Sequence, residues 1–161
     1  MSTVLQDIVA KKHYKFIDGE GLTWQEAVRQ STESLVADGS VSEDFYKQIV
    51  ACIEKYGPYM VFEHNVAMPH TTENAEGVYK TGIGFMACKK LIDFGEDEDG
   101  EKKEANLFFT LCSANPQEHM NNIQQLSSIF MNEPLLDALA AANTPEEILA
   151  AEEKFPCEDE D

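Results

Sequence analysis

The sequence predicts an α/β domain in which helices flank a few short strands. Three observations carry that expectation. Capped amphipathic segments stand near both ends. Two apolar runs of strand length, Ile83 to Cys88 and Leu107 to Cys112, lie between them. Glycine and proline punctuate the boundaries, and 161 residues with a hydrophobic fraction of 43% supply one core and little room for two. Residues 1–156 are read as one domain and 157–161 as an acidic tail.

The elements follow in order. His13 to Ile17 alternates as a short strand, and Gly19-Glu20-Gly21 marks a turn. Thr23, with Glu26 three residues on, reads as a capping box opening a helix from Trp24 to about Ala37. Trp24, Ala27, Val28 and Leu35 share one face of it, and Gly39 ends it. Ser42 reads as the next N-cap. Phe45, Ile49, Cys52 and Ile53 then form a stripe up to Tyr56, where Gly57-Pro58 stops the helix. Tyr59 to Phe62 is a short strand, and His64 to His70 a strand end or loop interrupted by Pro69. Glu96 to Glu101 is too charged to bury and reads as a solvated loop. Helices are expected over Gln117–Met131, Pro134–Ala141 and from Thr144-Pro145-Glu146-Glu147 to about Phe155, the last with an N-cap, a first-turn proline and an acidic first turn.

Composition limits the partners. A net charge of -18 repels nucleic-acid backbones and anionic membranes. No run approaches the roughly 20 apolar residues that cross a bilayer. Met1 to Asp7 lacks the basic-then-apolar pattern of a secretory signal, so a cytoplasmic protein is expected. The acidity either steers a basic protein partner or only confers solubility, and charge alone does not choose. Cys52, Cys88, Cys112 and Cys157 form no C-x-x-C pair and read as free thiols.

Histidine carries the chemistry. A neutral imidazole is a nucleophile that can hold a phosphoryl group as a labile phosphoramidate. Of His13, His64, His70 and His119, the sharpest context belongs to His70, which ends Asn65-Val66-Ala67-Met68-Pro69-His70. Spacing alone leaves a surface loop histidine open. Three histidines are also a conceivable metal set, but His64 and His70 straddle a proline without regular ligand spacing, and no metal or other cofactor is expected. His13 has no motif around it.

Together these segments resemble the mannitol/fructose/ascorbate class of enzyme IIA domains of the bacterial sugar phosphotransferase system (PTS). The likeness rests on Val66-Ala67-Met68-Pro69-His70 and Val78-Tyr79-Lys80-Thr81-Gly82-Ile83-Gly84. It extends to Phe94-Gly95 before the acidic run and Glu118-His119-Met120 opening a helix. Trp24-Gln25-Glu26-Ala27-Val28, Tyr56-Gly57-Pro58-Tyr59 and Thr144 to Leu149 also fit, so it covers nearly the whole chain in order. The resemblance implies a small mixed β-sheet flanked by helices. It implies a phosphocarrier accepting phosphate from phospho-HPr on His70 and passing it to a sugar-specific IIB component, with His119 beside His70. His64, Thr71 and Thr72 are the candidates for holding the phosphoryl oxygens, because arginines of some relatives are replaced, one of them by Glu54, and the only arginine here is Arg29. The alternatives are a regulatory IIA-like domain that senses phosphorylation state through protein interaction and, less favoured by the histidine spacing, a histidine metal-binding protein.

Overall fold

A helix that the sequence reading passed over opens the chain. In the computed structural model, which describes residues 3–71 and 76–157, Thr3 and Gln6 form a reciprocal capping box and start α1 (Val4–Ala10). Next come β1 (Tyr14–Ile17), α2 (Trp24–Ser31), α3 (Glu33–Ala37), α4 (Phe45–Tyr56), β2 (Val61–Phe62) and β3 (Val66–Ala67). A long hairpin, β4 (Gly82–Glu96) and β5 (Lys102–Cys112), precedes α5 (Pro116–Phe130), α6 (Glu133–Ala140) and α7 (Pro145–Lys154).

The five strands form one mixed sheet in the order β1-β4-β5-β3-β2. β1 runs parallel to β4 and β3 parallel to β5, while β4–β5 and β2–β3 are antiparallel. Successive side chains of a strand point to opposite faces, and here both faces are covered. Ile83, Phe85, Ala87, Leu107, Phe109 and Leu111 pack with α1 and α5 to α7. Met86, Cys88, Phe108 and Cys112 pack with α2 to α4. This double coverage explains why the strands read as continuous apolar runs without polar alternation. The strands are longer than those runs because their distal halves carry exposed charge, at Lys89, Lys90 and Lys102 for example.

Gly84 lets the helical layer approach closely. A Cβ there would meet the Ser31 carbonyl oxygen and Leu35 Cγ, each at 3.3 Å. Opposite it, the buried Thr110 hydroxyl donates to Ser31 Oγ at 2.9 Å.

Several local expectations are corrected. The helix expected from Trp24 to Ala37 is two helices, broken where the Ser31 and Thr32 hydroxyls donate back to the Val28 and Arg29 carbonyls. Thr23 caps α2 by accepting from Glu26 N–H, but the Glu26 carboxylate turns to Arg29, so the box is half made. Gly39 closes α3 as expected, at φ 81°, with Ser40 N–H donating to Leu35 and Gly39 N–H to Val36. Ser42 is not an N-cap: its N–H donates to the Gly77 carbonyl, and α4 begins after Asp44 without a side-chain cap. Asn115 caps α5 one residue earlier than predicted. The acidic run is the β4–β5 hairpin tip, where the Asp97 carboxylate accepts from the N–H groups of Asp99 and Glu101, each at 2.9 Å. Residues 158–161, most of the predicted acidic tail, lie outside the described residues.

Candidate functional site

Two backbone bonds place His70. Met68 N–H donates to the Met60 carbonyl, and the Pro69 carbonyl accepts from Leu111 N–H at 2.9 Å. The segment leaving β3 is thereby tied to the C-terminal end of β5, with Pro69 buried and His70 half-buried behind it. The His70 ring then turns back on its own chain. Its Nδ1 lies 2.6 Å from the Met68 carbonyl oxygen. A carbonyl only accepts, so Nδ1 carries the proton and Nε2 keeps the lone pair. The ring also meets Tyr59 edge to face, with centroids 5.7 Å apart and planes at 87°.

His119 is carried by the first turns of α5, which follows β5. The Thr81 hydroxyl accepts from Ala114 N–H and Asn115 N–H, each at 2.9 Å, and so anchors the turn into α5. Asn115 Oδ1 accepts from Gln117 N–H and Glu118 N–H, while His119 N–H donates to the Asn115 carbonyl. These first-turn amides are occupied within the helix, so α5 offers an approaching anion its dipole rather than those donors. Burial, and then its neighbour His70, push the His119 pKa below its ordinary value and favour the neutral ring. Its Nδ1 is buried without a hydrogen-bond partner among the described residues, a costly state for a polar atom.

Of the other predicted candidates, His64 faces a different element. His64 lies in the turn between β2 and β3, where it and Asn65 adopt φ values of 67° and 61°. Its Nε2 is 2.7 Å from Asp137 Oδ1, and Glu133 is 3.8 Å from Nδ1, so its ring faces α6. β3 lies between it and His70 along the chain. Thr71 is half-buried beside His70, whereas Thr72 lies outside the described residues. Arg29 pairs with Glu26 and Glu33 on α2 and α3. Buried His13 bonds the Asp38 carboxylate, for which the sequence offered no motif. Burial tends to raise the Asp38 pKa, but bonds from Ser40 and His13 bring it below the usual range. Cys88 and Cys112 are buried with thiol pKa values pushed up to about 12, while Cys52 is half-buried against Tyr59.

Residues 8–154 match the family described as the phosphoenolpyruvate-dependent sugar phosphotransferase system, EIIA 2. The chain belongs to this family. It is thus an EIIA component of a PTS, a phosphotransferase component. It is 32% identical to the ascorbate-specific PTS system EIIA component of Escherichia coli K12 over 146 residues, covering 90% of this chain and 92% of that one. The mannitol-specific cryptic phosphotransferase enzyme IIA of Escherichia coli superposes with a TM-score of 0.77 at 25% identity, over 92% of this chain and 97% of that one. Enzyme IIAMTL of Escherichia coli, solved in complex with phosphorylated enzyme IIBMTL, gives a TM-score of 0.70 at 26% identity, over 86% and 93% of the two chains.

Within this EIIA fold, His70 and His119, both named from the sequence, are electrostatic neighbours. Sequence reasoning missed the Met68 carbonyl, the Thr81 anchor and the Tyr59 ring. Tyr59 stood in the Tyr56-Gly57-Pro58-Tyr59 segment, but only as a point of likeness. Asn115 before Pro116 was a readable cap-and-proline signal. Among the described residues, no helix is long and apolar enough to cross a membrane.

Proposed function

We propose that this EIIA chain works in the cytoplasm as a phosphocarrier, accepting a phosphoryl group on Nε2 of His70 from phospho-HPr and passing it to a sugar-specific IIB component. The observation that carries this reading is the fixed tautomer of His70, with the unpartnered Nδ1 of His119 beside it.

The chemistry follows from the proton positions. The Nε2 lone pair attacks phosphorus, and the donor's N–P bond breaks with its electron pair returning to the donor nitrogen. A donor ring protonated on its other nitrogen leaves as neutral imidazole. His70, keeping Nδ1–H, becomes a phosphorylated imidazolium. No net proton moves, and the Met68 carbonyl stabilises the positive charge that develops on the His70 ring. Transfer to IIB reverses the roles. A proton on His119 Nδ1 finds its partner in a phosphoryl oxygen, so the unsatisfied atom is matched when the phosphoryl group is present. Thr71 is retained in this set as a hydroxyl donor. His64 is left out because its ring faces Asp137 and Glu133.

Incubation with phosphoenolpyruvate, enzyme I and HPr should add one acid-labile phosphate. His70→Ala should abolish it, and full labelling of that variant would refute the assignment. The ascorbate-specific relative makes an ascorbate-type IIB the first acceptor to test.

A further inference from the structure

We infer that Tyr59 is a positioning residue for phosphoryl transfer: its aromatic ring, through edge-to-face contact, holds the His70 imidazole in the orientation that presents Nε2. The inference rests on His70 being the phosphoryl acceptor. A single hydrogen bond to Met68 O fixes one atom of the imidazole. The ring still needs a second contact to define its plane, and Tyr59 supplies it at 87°. Edge-to-face contact restrains a ring plane without occupying either nitrogen, so it leaves the nucleophile free.

Tyr59 is itself well braced although 42% exposed. Gly57 at φ 83° ends α4 and lets Tyr59 N–H donate to the Gly57 carbonyl at 2.8 Å. The flanking Pro58 and Met60 are buried, and the Met60 carbonyl holds the Met68 N–H. The segment that carries Tyr59 is thus bonded directly to the residue whose carbonyl holds His70. Above the backbone, Tyr59 meets Tyr56 of α4 edge to face at 6.2 Å. The C-terminal turn of α4 therefore sets the Tyr59 ring, and the Tyr59 ring sets His70. A misplacement of about 1 Å in a reacting group can cost on the order of 100-fold in rate.

The test compares Tyr59→Phe, which keeps the ring, with Tyr59→Leu, which removes it. Two readouts avoid partner docking. One is the nitrogen NMR signature of the His70 tautomer in the protein alone. The other is the phosphorylation rate with phosphoramidate, whose P–N bond breaks as its protonated nitrogen leaves as ammonia. Tyr59→Phe should match the native protein within about twofold. Tyr59→Leu should phosphorylate some 10- to 100-fold more slowly and show mixed His70 tautomers. Amide spectra verify the fold, which an exposed position should preserve. An unchanged tautomer and rate in Tyr59→Leu would overturn the inference. A Phe variant as slow as the Leu variant would also overturn it, because the hydroxyl and not the ring would then matter. If native His70 takes no phosphate from either phosphoramidate or phospho-HPr, the carrier reading fails. The tautomer comparison still judges the Tyr59 contact in that case.

Discussion

Neutralising the acidic hairpin tip should leave phosphoryl transfer untouched. The variant is Glu96→Gln, Glu98→Gln and Asp99→Asn together. Asp97 is kept because its carboxylate ties the turn through Asp99 and Glu101 N–H. The magnitude follows from the sheet. His70 lies beyond Pro69, which is bonded to Leu111 near the C-terminal end of β5, while the tip precedes Lys102 at the other end. At about 3.3 Å per residue, β5 separates them by about 30 Å. Across that distance in water, a pair of unit charges interacts by about 0.14 kcal/mol before screening. A Debye length of about 8 Å reduces this to roughly 0.003 kcal/mol, so three charges contribute about 0.01 kcal/mol, near a 2% change in rate. Stopped-flow transfer from phospho-HPr at several ionic strengths measures it. The native protein and the variant should give superimposable salt dependences, with any steering owed to charge nearer His70. A clearly shallower slope for the variant would refute the reasoning and place the tip against the donor.

Two further outcomes are expected. Gly84→Ala should cost about 1–3 kcal/mol of stability, because the new methyl meets the Ser31 carbonyl oxygen at 3.3 Å and backbone cannot swing away; urea titration measures it, and an unchanged midpoint would contradict the tight packing. His119, whose folded pKa is depressed from 6.5, favours the neutral ring on folding; that contribution is complete above pH 6.5 and is lost as pH falls through the depressed value. His119→Gln should therefore flatten part of the stability loss below pH 6.5, and equal slopes for variant and native protein would argue against a buried neutral ring.

Local signals were legible in the sequence because they act over three or four residues. The Thr23 cap, the Gly39 helix end, the Gly57 stop and the Thr144-Pro145 start all stand where the chain announced them. The Thr3–Gln6 box and the Asn115-Pro116 start were written just as locally and were passed over. The break at Thr32 was less legible, since hydroxyls returning to i−3 carbonyls compete with a helix that its apolar face otherwise supports.

By itself, then, the sequence determined the α/β class, the apolar centres of β4 and β5, and the singular context of His70. Only the tertiary structure decided which side chains share the site. His64 is a near neighbour of His70 along the chain, yet β3 lies between them and Asp137 takes the His64 ring. His119 is distant along the chain, yet the Pro69–Leu111 bond sets His70 beside the end of β5, where Thr81 anchors the start of α5. The physical reason is that proximity between elements is fixed by sheet order and by burial on both sheet faces, which sum over the whole chain. A hydrogen-bond cap or an apolar repeat reads only its own turn.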